Sequence, residues 1–107
     1  MVEGVVPDLE PTRQELQISA RLLLHLSRQP RFASGETAPE SLTQSGMATA
    51  LGTSQASVSN SLNRLVDGGA VRVERSHVRR KFARLKVYQL TDHGHALVEQ
   101  ILKSMGT

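Results

Sequence analysis

Apolar residues recur three or four positions apart in four segments of the chain, and they alternate with polar residues in two others. The first spacing is that of one helix face, and the second is that of a strand with one buried face. The predicted helices cover residues 12–29, 43–51, 54–67 and 92–105, and the predicted strands cover 70–76 and 84–91. This order predicts an α+β fold that is mostly α, with a long and mobile hairpin tip at 77–83.

The ends of these segments carry recognisable signals. A hydroxyl residue marks the start of three of the helices: Thr43 and Ser54 open their segments, and Thr91 directly precedes residue 92. Such side chains accept hydrogen bonds from the free N–H groups of a first helical turn. Gly52 separates the second and third helices, where it lets the backbone turn sharply. Gly46 lies inside the second helix and is expected to weaken it by about 1 kcal/mol relative to alanine.

Length and composition indicate one globular domain. A chain of 107 residues supports a single modest core. Residues 1–11 are predicted to be a flexible tail, residues 12–107 the domain, and residues 30–41 a loop rich in Pro, Gly and Ser. The chain has no cysteine, which excludes disulfides and thiolate metal sites. No apolar run approaches the roughly 20 residues of a membrane span, and a cytoplasmic location is expected.

Positive charge is concentrated in one part of the chain. Residues 1–40 carry a net charge of −2, whereas residues 64–86 carry a net charge of +6. The cations therefore follow directly after the third predicted helix and continue through the hairpin. A polyanion is the partner that such a cluster favours.

The third predicted helix presents small polar and basic side chains opposite its apolar stripe of Val58, Leu62 and Leu65. Amide and hydroxyl groups bond to base edges in the major groove of DNA, whereas cations and helix N-termini bond to phosphates. The predicted base contacts are Gln55, Ser57 and Asn60. The predicted contacts to the DNA backbone are Thr43, Ser54, Arg64, Arg79, Arg80 and Lys81.

Two stretches resemble the MarR-like class of winged helix-turn-helix transcriptional regulators. Residues 56–71 resemble the recognition helix and first wing strand of that class, and residues 86–94, KVYQLTDHG, resemble its second wing strand and the start of the next helix. The resemblance covers residues 42–102. It implies a three-helix core, a two-stranded β-wing and a C-terminal helix, with the helix-turn-helix at 43–67, the wing at 70–91 and the last helix at 92–105.

The same resemblance implies a function. A regulator of this class binds double-stranded DNA sequence-specifically, with recognition helix 54–67 in the major groove and the basic wing on the backbone or in the minor groove. Regulators of this class often add long terminal helices that build a dimer and an effector pocket. Only one predicted helix precedes the helix-turn-helix here and only one follows the wing. An effector is therefore not expected, and the chain is either a minimal regulator or a fragment of a larger protein.

A homodimer is expected through the N-terminal and C-terminal helices. The first helix is apolar on two sides, and the last helix carries Leu97, Ile101 and Met105, which have few candidate partners in so small a core. The alternative interpretation is a winged-helix module that docks another protein and contacts DNA weakly. The run of cations in the wing favours DNA over that alternative.

Catalytic and metal-binding functions are not expected. The sequence has no nucleophile elbow, no phosphate-binding loop and no carboxylate pair at catalytic spacing, so the chain is predicted not to be an enzyme. His93 and His95 are two positions apart at a helix start and face different directions, which is poor spacing for a metal site. No cofactor is predicted.

Overall fold

The computed structural model describes residues 13–31, 33 and 36–106. Within them, four α-helices and two strands follow one another in the predicted order. These elements are α1 (Arg13–Ser27), α2 (Gln44–Leu51), α3 (Gln55–Asp67), β1 (Val71–His77), β2 (Arg84–Leu90) and α4 (Asp92–Ser104). A mostly helical fold with one antiparallel hairpin is therefore confirmed. The predicted flexible tail at residues 1–11 lies outside the described residues.

The core is built around one face of α1. Ile18, Leu22 and Leu26 are four positions apart, so they share a helix face, and all three are buried. Burying a leucine side chain contributes about 1.5–3 kcal/mol, so this stripe is a main source of stability. Leu16 lies on the other side of α1 and is 56% exposed. Helix α1 is therefore apolar on two sides, and the side that carries Leu16 is left partly uncovered.

The predicted caps and the predicted turn are confirmed. Each capping oxygen accepts a hydrogen bond of 3.1 Å from the backbone N–H three residues further on. The caps are Thr43 on α2, Ser54 on α3 and Thr91 on α4. Gly52 ends α2 with a φ of +67°, a left-handed conformation that glycine adopts without steric cost. These signals fix where α2 and α3 begin and how the chain turns between them.

Helix α1 holds α2 and α3 in place through polar contacts as well as packing. The guanidinium of Arg21 donates to the carbonyl oxygen of Leu51 at 2.6 Å, which satisfies a free acceptor at the C-terminal end of α2. Val58 and Leu62 of α3 are completely buried against the same core. The inner face of α3 is therefore fully occupied, and only its opposite face remains available for contact.

Strands β1 and β2 form a hairpin that packs on the core at its base. Their register runs from Val71 opposite Leu90 to His77 opposite Arg84. Gly69 leads into β1 with a φ of +79°. The N–H of Thr91 then donates to the carbonyl oxygen of Ala70 at 3.0 Å, which closes the base of the hairpin. The wing consequently leaves the core at a fixed point.

Residues 36–41, part of the predicted loop, make ordered contacts that their composition does not predict. Glu40–Leu42 form a 3₁₀ turn, and Ala38 makes a parallel bridge with Val78. The N–H of Ala38 donates to His77 O at 2.8 Å, and the N–H of Arg79 donates to Ala38 O at 3.0 Å. The predicted boundary of the hairpin tip is therefore corrected: His77 belongs to β1, the tip is residues 78–83, and its first residue is tied to the segment before α2. Sequence reasoning missed this bridge because a single pairing leaves no periodic pattern.

Gly46 is required by packing, which reverses the expectation that it only weakens α2. A Cβ atom at this position would collide with the carbonyl group of Glu40 in the preceding 3₁₀ turn. The close approach of Glu40 to α2 is possible only without a side chain at residue 46. Helix propensity favours alanine at residue 46, but the contact with the backbone of Glu40 excludes its side chain.

We expect Gly46→Ala to destabilise the protein by about 1–3 kcal/mol, because the backbone must shift to accommodate the methyl group. Helix propensity alone predicts the opposite sign, a gain of about 1 kcal/mol. Gly68→Ala is the matched control, since a Cβ there meets its nearest neighbour at 3.4 Å and φ is −82°. Denaturant melts of the three proteins measure the difference. Equal or greater stability of Gly46→Ala would contradict the packing account.

Candidate nucleic-acid interface

The outer face of α3 is a polar arc that the core does not cover. Val58, Ser61 and Leu62 point inward and are buried. Successive residues of a helix are rotated by about 100°, so Asn60 and Asn63 lie on the opposite side, where both are exposed. Two amide side chains one turn apart offer donors and acceptors to the same flat edge. The helix therefore presents a hydrogen-bonding surface along its length.

A cleft of about 310 Å³ joins the beginning of α3 to the wing. Gln55 lines it from α3, Arg75 from β1 and Lys86 from β2. Its other lining residues are Thr43, Gln44, Ser45 and Leu85. Polar side chains of the helix and cations of the wing thus border one concave surface. Of the contact residues predicted from the sequence, Thr43 and Gln55 line this cleft, whereas the predicted wing cations Arg79, Arg80 and Lys81 do not.

Gln44 connects the elements that border this cleft. Its Nε2 donates to the hydroxyl of Tyr88 at 2.9 Å and to the Oγ of Ser59 at 3.5 Å. Tyr88 belongs to β2 and is only 2% exposed, whereas Ser59 belongs to α3. One amide therefore connects α2, α3 and the wing. Sequence analysis missed Gln44, because no motif marks a side chain whose partners are 15 and 44 residues away.

The predicted base-contact residues differ in their surroundings. Gln55 and Asn60 are exposed, which leaves their amides available. Ser57 is half-buried, and its hydroxyl lies 2.9 Å from the Oγ of Ser54, the capping residue of α3. Gln55 and Asn60 therefore lie where the prediction requires, while Ser57 already belongs to the cap.

The two predicted helix N-termini also differ. Ser54 is exposed at the start of α3. Thr43 is only 3% exposed, and its hydroxyl donates to the carbonyl oxygen of Glu40 at 2.7 Å while it accepts from Gly46. The side chain of Thr43 is thus committed to the protein. An anion at this position would meet backbone N–H groups of α2, not the threonine hydroxyl.

Two of the predicted cations form ion pairs within the protein. Arg64 lies 3.2 Å from a carboxylate oxygen of Glu15 on α1, and Lys81 lies 3.4 Å from one of Glu40. All four side chains are between 32% and 44% exposed. Ion pairs in such positions contribute little to stability, so each cation can exchange its carboxylate for a phosphate at small cost. Arg64 faces α1 and Lys81 faces the 3₁₀ turn.

The wing has a basic face that sequence analysis counted as charge but did not assign. The register places Arg75 opposite Lys86 and His77 opposite Arg84, and side chains at these positions point to the same side. All four are exposed, whereas Ser76 and Val87 on the other side of the hairpin are buried. Alternation of basic residues with buried or half-buried residues over 75–77 and 84–87 is the signal that could have identified them. We call Arg75, His77, Arg84 and Lys86 the basic wing face.

The wing tip contains a strained arginine. The N–H of Lys81 donates to Val78 O at 3.0 Å, which closes a β-turn with Arg79 and Arg80 at its centre. Arg80 has a φ of +68°. That angle at the second central position is typical of a type II turn, where glycine is preferred. The chain therefore keeps an arginine at a position where glycine would fit with less strain.

A second cavity, of about 480 Å³, lies at the base of the wing beside the C-terminal end of α1. It is lined largely by polar and charged residues, including Arg31, Arg72, Asp92 and His95. Sequence analysis did not anticipate a cavity here. The expectation that no effector binds stays a prediction.

One histidine, His25, contacts the backbone of the segment before α2. The Nε2 of His25 lies 2.9 Å from the carbonyl oxygen of Ser41. Over residues 13–31, 33 and 36–106, no three His, Cys, Asp or Glu side chains come together in a way that could hold a metal ion. Among the described helices, none has the length and apolar character needed to cross a membrane.

Four helices with a two-stranded wing beside the third helix define a winged helix-turn-helix protein. Residues 12–81 match the family model described as MarR family. The chain belongs to the MarR family, as the resemblance implied. Among curated proteins, the chain has no significant match.

Solved structures of similar fold include several regulators. A MepR mutant from a multidrug-resistant S. aureus clinical isolate is 25% identical, with a TM-score of 0.62, over 87% of this chain and 65% of that chain. The S. aureus MepR–DNA complex is 24% identical, with a TM-score of 0.56, over 92% and 63%. Staphylococcus aureus MarR in complex with salicylate and kanamycin is 18% identical, with a TM-score of 0.60, over 94% and 62%. The chain spans slightly less than two thirds of each.

We expect Arg80→Gly to raise the thermal midpoint while it weakens binding to a polyanion. Relief of the left-handed strain outweighs the added freedom of the unfolded chain by about 0.5–1 kcal/mol. Loss of the cation lowers the salt concentration at which the protein leaves a heparin column. Arg28→Ala is the charge-matched control, because it lies beyond the end of α1 and is expected to change elution less. A lower thermal midpoint for Arg80→Gly would show that the arginine is not strained.

Proposed function

We propose that this protein is a transcriptional regulator that binds double-stranded DNA through α3 and the wing together. The observation that carries the proposal is the shared cleft, which Gln55 of α3 lines together with Arg75 and Lys86 of the basic wing face. A polar helix face suits the major groove, and cations beside it suit the flanking phosphates. The proposed function is binding, not catalysis, and it places the protein in the cytoplasm with the DNA.

The dimensions and exposure of the interface support this proposal. The major groove of B-DNA is about 12 Å wide and admits one helix, and α3 offers it a full uncovered face centred on Asn60 and Asn63. Membership of the MarR family also supports it. In addition, the S. aureus MepR of similar fold is bound to DNA in one of its structures.

We assign roles to the residues as follows. Gln55 and Asn60 read base edges, since their exposed amides suit bidentate pairing with adenine, and Ser57 contributes a hydroxyl from the edge of the arc. The phosphate contacts comprise the N-termini of α2 and α3, at Thr43 and Ser54, the predicted cations Arg64, Arg79, Arg80 and Lys81, and the basic wing face. Arg64 and Lys81 take part by leaving their carboxylate partners.

A homodimer is part of the proposal. Leu16 on α1 and Met105 after α4 are 56% and 60% exposed, and helices α1 and α4 pack against each other. Two large apolar side chains open to water on neighbouring helices favour burial by a second copy. A two-fold dimer reads two half-sites about one DNA turn, or 34–36 Å, apart.

We expect the protein to select, from a pool of random duplexes, a motif with two inverted half-sites. Affinity for the selected duplex falls with salt at a slope of about −6 per protomer, as neutralisation of about seven phosphates by the assigned Lys and Arg side chains requires. Sequencing of the bound pool and a salt titration by fluorescence anisotropy measure both. Absence of retained duplex at low salt would refute DNA binding and favour the protein-docking alternative. A single half-site would refute the two-fold dimer alone.

We expect Asn60→Ala to weaken binding to the selected duplex by about 1–3 kcal/mol and to leave binding to a scrambled duplex nearly unchanged, because a base contact carries sequence information. Gln100→Ala, on an exposed position of α4, is the control and is expected to bind both duplexes like the parent. Anisotropy titrations on both duplexes give the comparison. An equal loss on the two duplexes would assign Asn60 to the DNA backbone instead.

A further inference from the structure

Phe82 is an aromatic side chain that the fold leaves in water. It lies in the wing tip, residues 78–83, and is fully exposed. The other large apolar residues described as exposed keep part of their surface covered, with exposures of 40–60%. Tyr88, the other aromatic residue in the described part of the chain, is buried. An exposed phenylalanine is unfavourable in water and is stabilised when a partner covers it.

The charge around Phe82 determines what kind of partner can cover it. Residues 75–91 contain six cations and no acidic residue. Three of those cations, Arg79, Arg80 and Lys81, directly precede Phe82. A second copy would bring an equally positive tip, so self-association at this point is opposed by repulsion. The partner must combine negative charge with an apolar surface for the ring.

Stacked DNA bases flanked by phosphates combine negative charge with an apolar surface for the ring. A lipid surface also has this combination, but one aromatic side chain buries too little apolar area to hold a protein on a membrane without a second anchor.

The tip is also continuous with the cleft that borders α3. Phe82 is four residues from Lys86, which lines the cleft, and four residues span at most about 13 Å. That distance is close to the roughly 12 Å width of a major groove, so the tip reaches the minor groove next to the one that α3 occupies.

We propose that Phe82 is an apolar wedge that enters the minor groove, inserts at one base step and bends the duplex. This inference depends on the DNA-binding function proposed above and adds to it. Proteins that insert phenylalanine between base pairs unstack that step and kink the duplex. Pyrimidine–purine steps open most easily. The wedge therefore adds a preference for a flexible base step. This step lies about half a DNA turn from the bases that α3 reads, and α3 does not touch it.

The test compares the full chain with three variants on the duplex selected by the parent. Phe82→Ala removes the ring, Phe82→Leu keeps an apolar side chain, and Arg79→Ala removes a neighbouring charge but keeps the ring. Affinity and its salt dependence are measured by anisotropy. Unstacking is measured from the emission of 2-aminopurine placed at each successive position of the duplex. Thermal melts are a control for folding, and the Phe82 variants are expected to melt like the parent because the ring contacts no core.

With the parent protein, we expect emission to rise at one step in each half-site. Phe82→Ala is expected to abolish the rise and to weaken binding about 5- to 150-fold, the range found for loss of a base–aromatic stack, with the salt slope unchanged. Phe82→Leu is expected to retain part of the rise. Arg79→Ala is expected to keep the full rise but to reduce the salt slope by about one.

Three results would overturn the inference, and they are distinguishable. If Phe82→Ala matches the parent in emission and affinity, the wedge is refuted while DNA binding stands. If the parent binds no duplex, the proposed function is refuted and the wedge with it. If the parent sediments with vesicles of phosphatidylcholine and phosphatidylserine, Phe82→Ala does not, and duplex binding is equal for both, then Phe82 serves a lipid surface instead.

Discussion

The interface depends on a fixed angle between the wing and α3. Three sets of contacts hold that angle at different heights along the hairpin. At the base, Thr91 bonds to Ala70; in the middle, Gln44 bonds to the buried hydroxyl of Tyr88; near the tip, Ala38 bridges to Val78. A two-stranded hairpin alone is marginally stable, so these contacts keep the basic wing face beside the polar arc. Without them, both surfaces would exist but would not be held beside each other.

Much of the fold follows from local signals in the sequence. The caps at Thr43, Ser54 and Thr91 and the turn at Gly52 depend on nearest neighbours along the chain, and sequence patterns report such neighbours well. The alternation in the two strands reports burial on one side of the hairpin. Helices and strands therefore fall close to their predicted positions.

The remainder depends on contacts between distant residues. Gly46 looks unfavourable in a helix until the carbonyl of Glu40 is placed against it. The role of Gln44 depends on Tyr88, which is 44 residues away. Side-chain direction in the site is equally non-local: Asn60 is exposed as predicted, whereas the hydroxyl of Thr43 is buried in its cap. Alternation and charge located the wing, but only the strand register shows which basic residues share a face.

Two side chains at the wing tip lower the stability of the folded protein at the surface proposed to bind. Arg80 occupies a left-handed position that favours glycine, and Phe82 leaves its ring in water. Neither residue stabilises the folded protein by itself. Both side chains lie at the tip of a hairpin whose lower part is firmly packed. A rigid base with an unfavourable tip is the arrangement expected when the tip gains its stabilisation from a partner.

The central claim is that one protomer contacts the major groove with α3 and the adjacent minor groove with the wing at the same time. Footprinting of the protein on its selected duplex tests this most directly, with dimethyl sulfate reporting guanine N7 in the major groove and hydroxyl radical reporting sugars along the minor groove. We expect protection by both reagents on the same side of the duplex, offset by about half a helical turn, or five base pairs. Protection by only one reagent, or on opposite sides of the duplex, would contradict it.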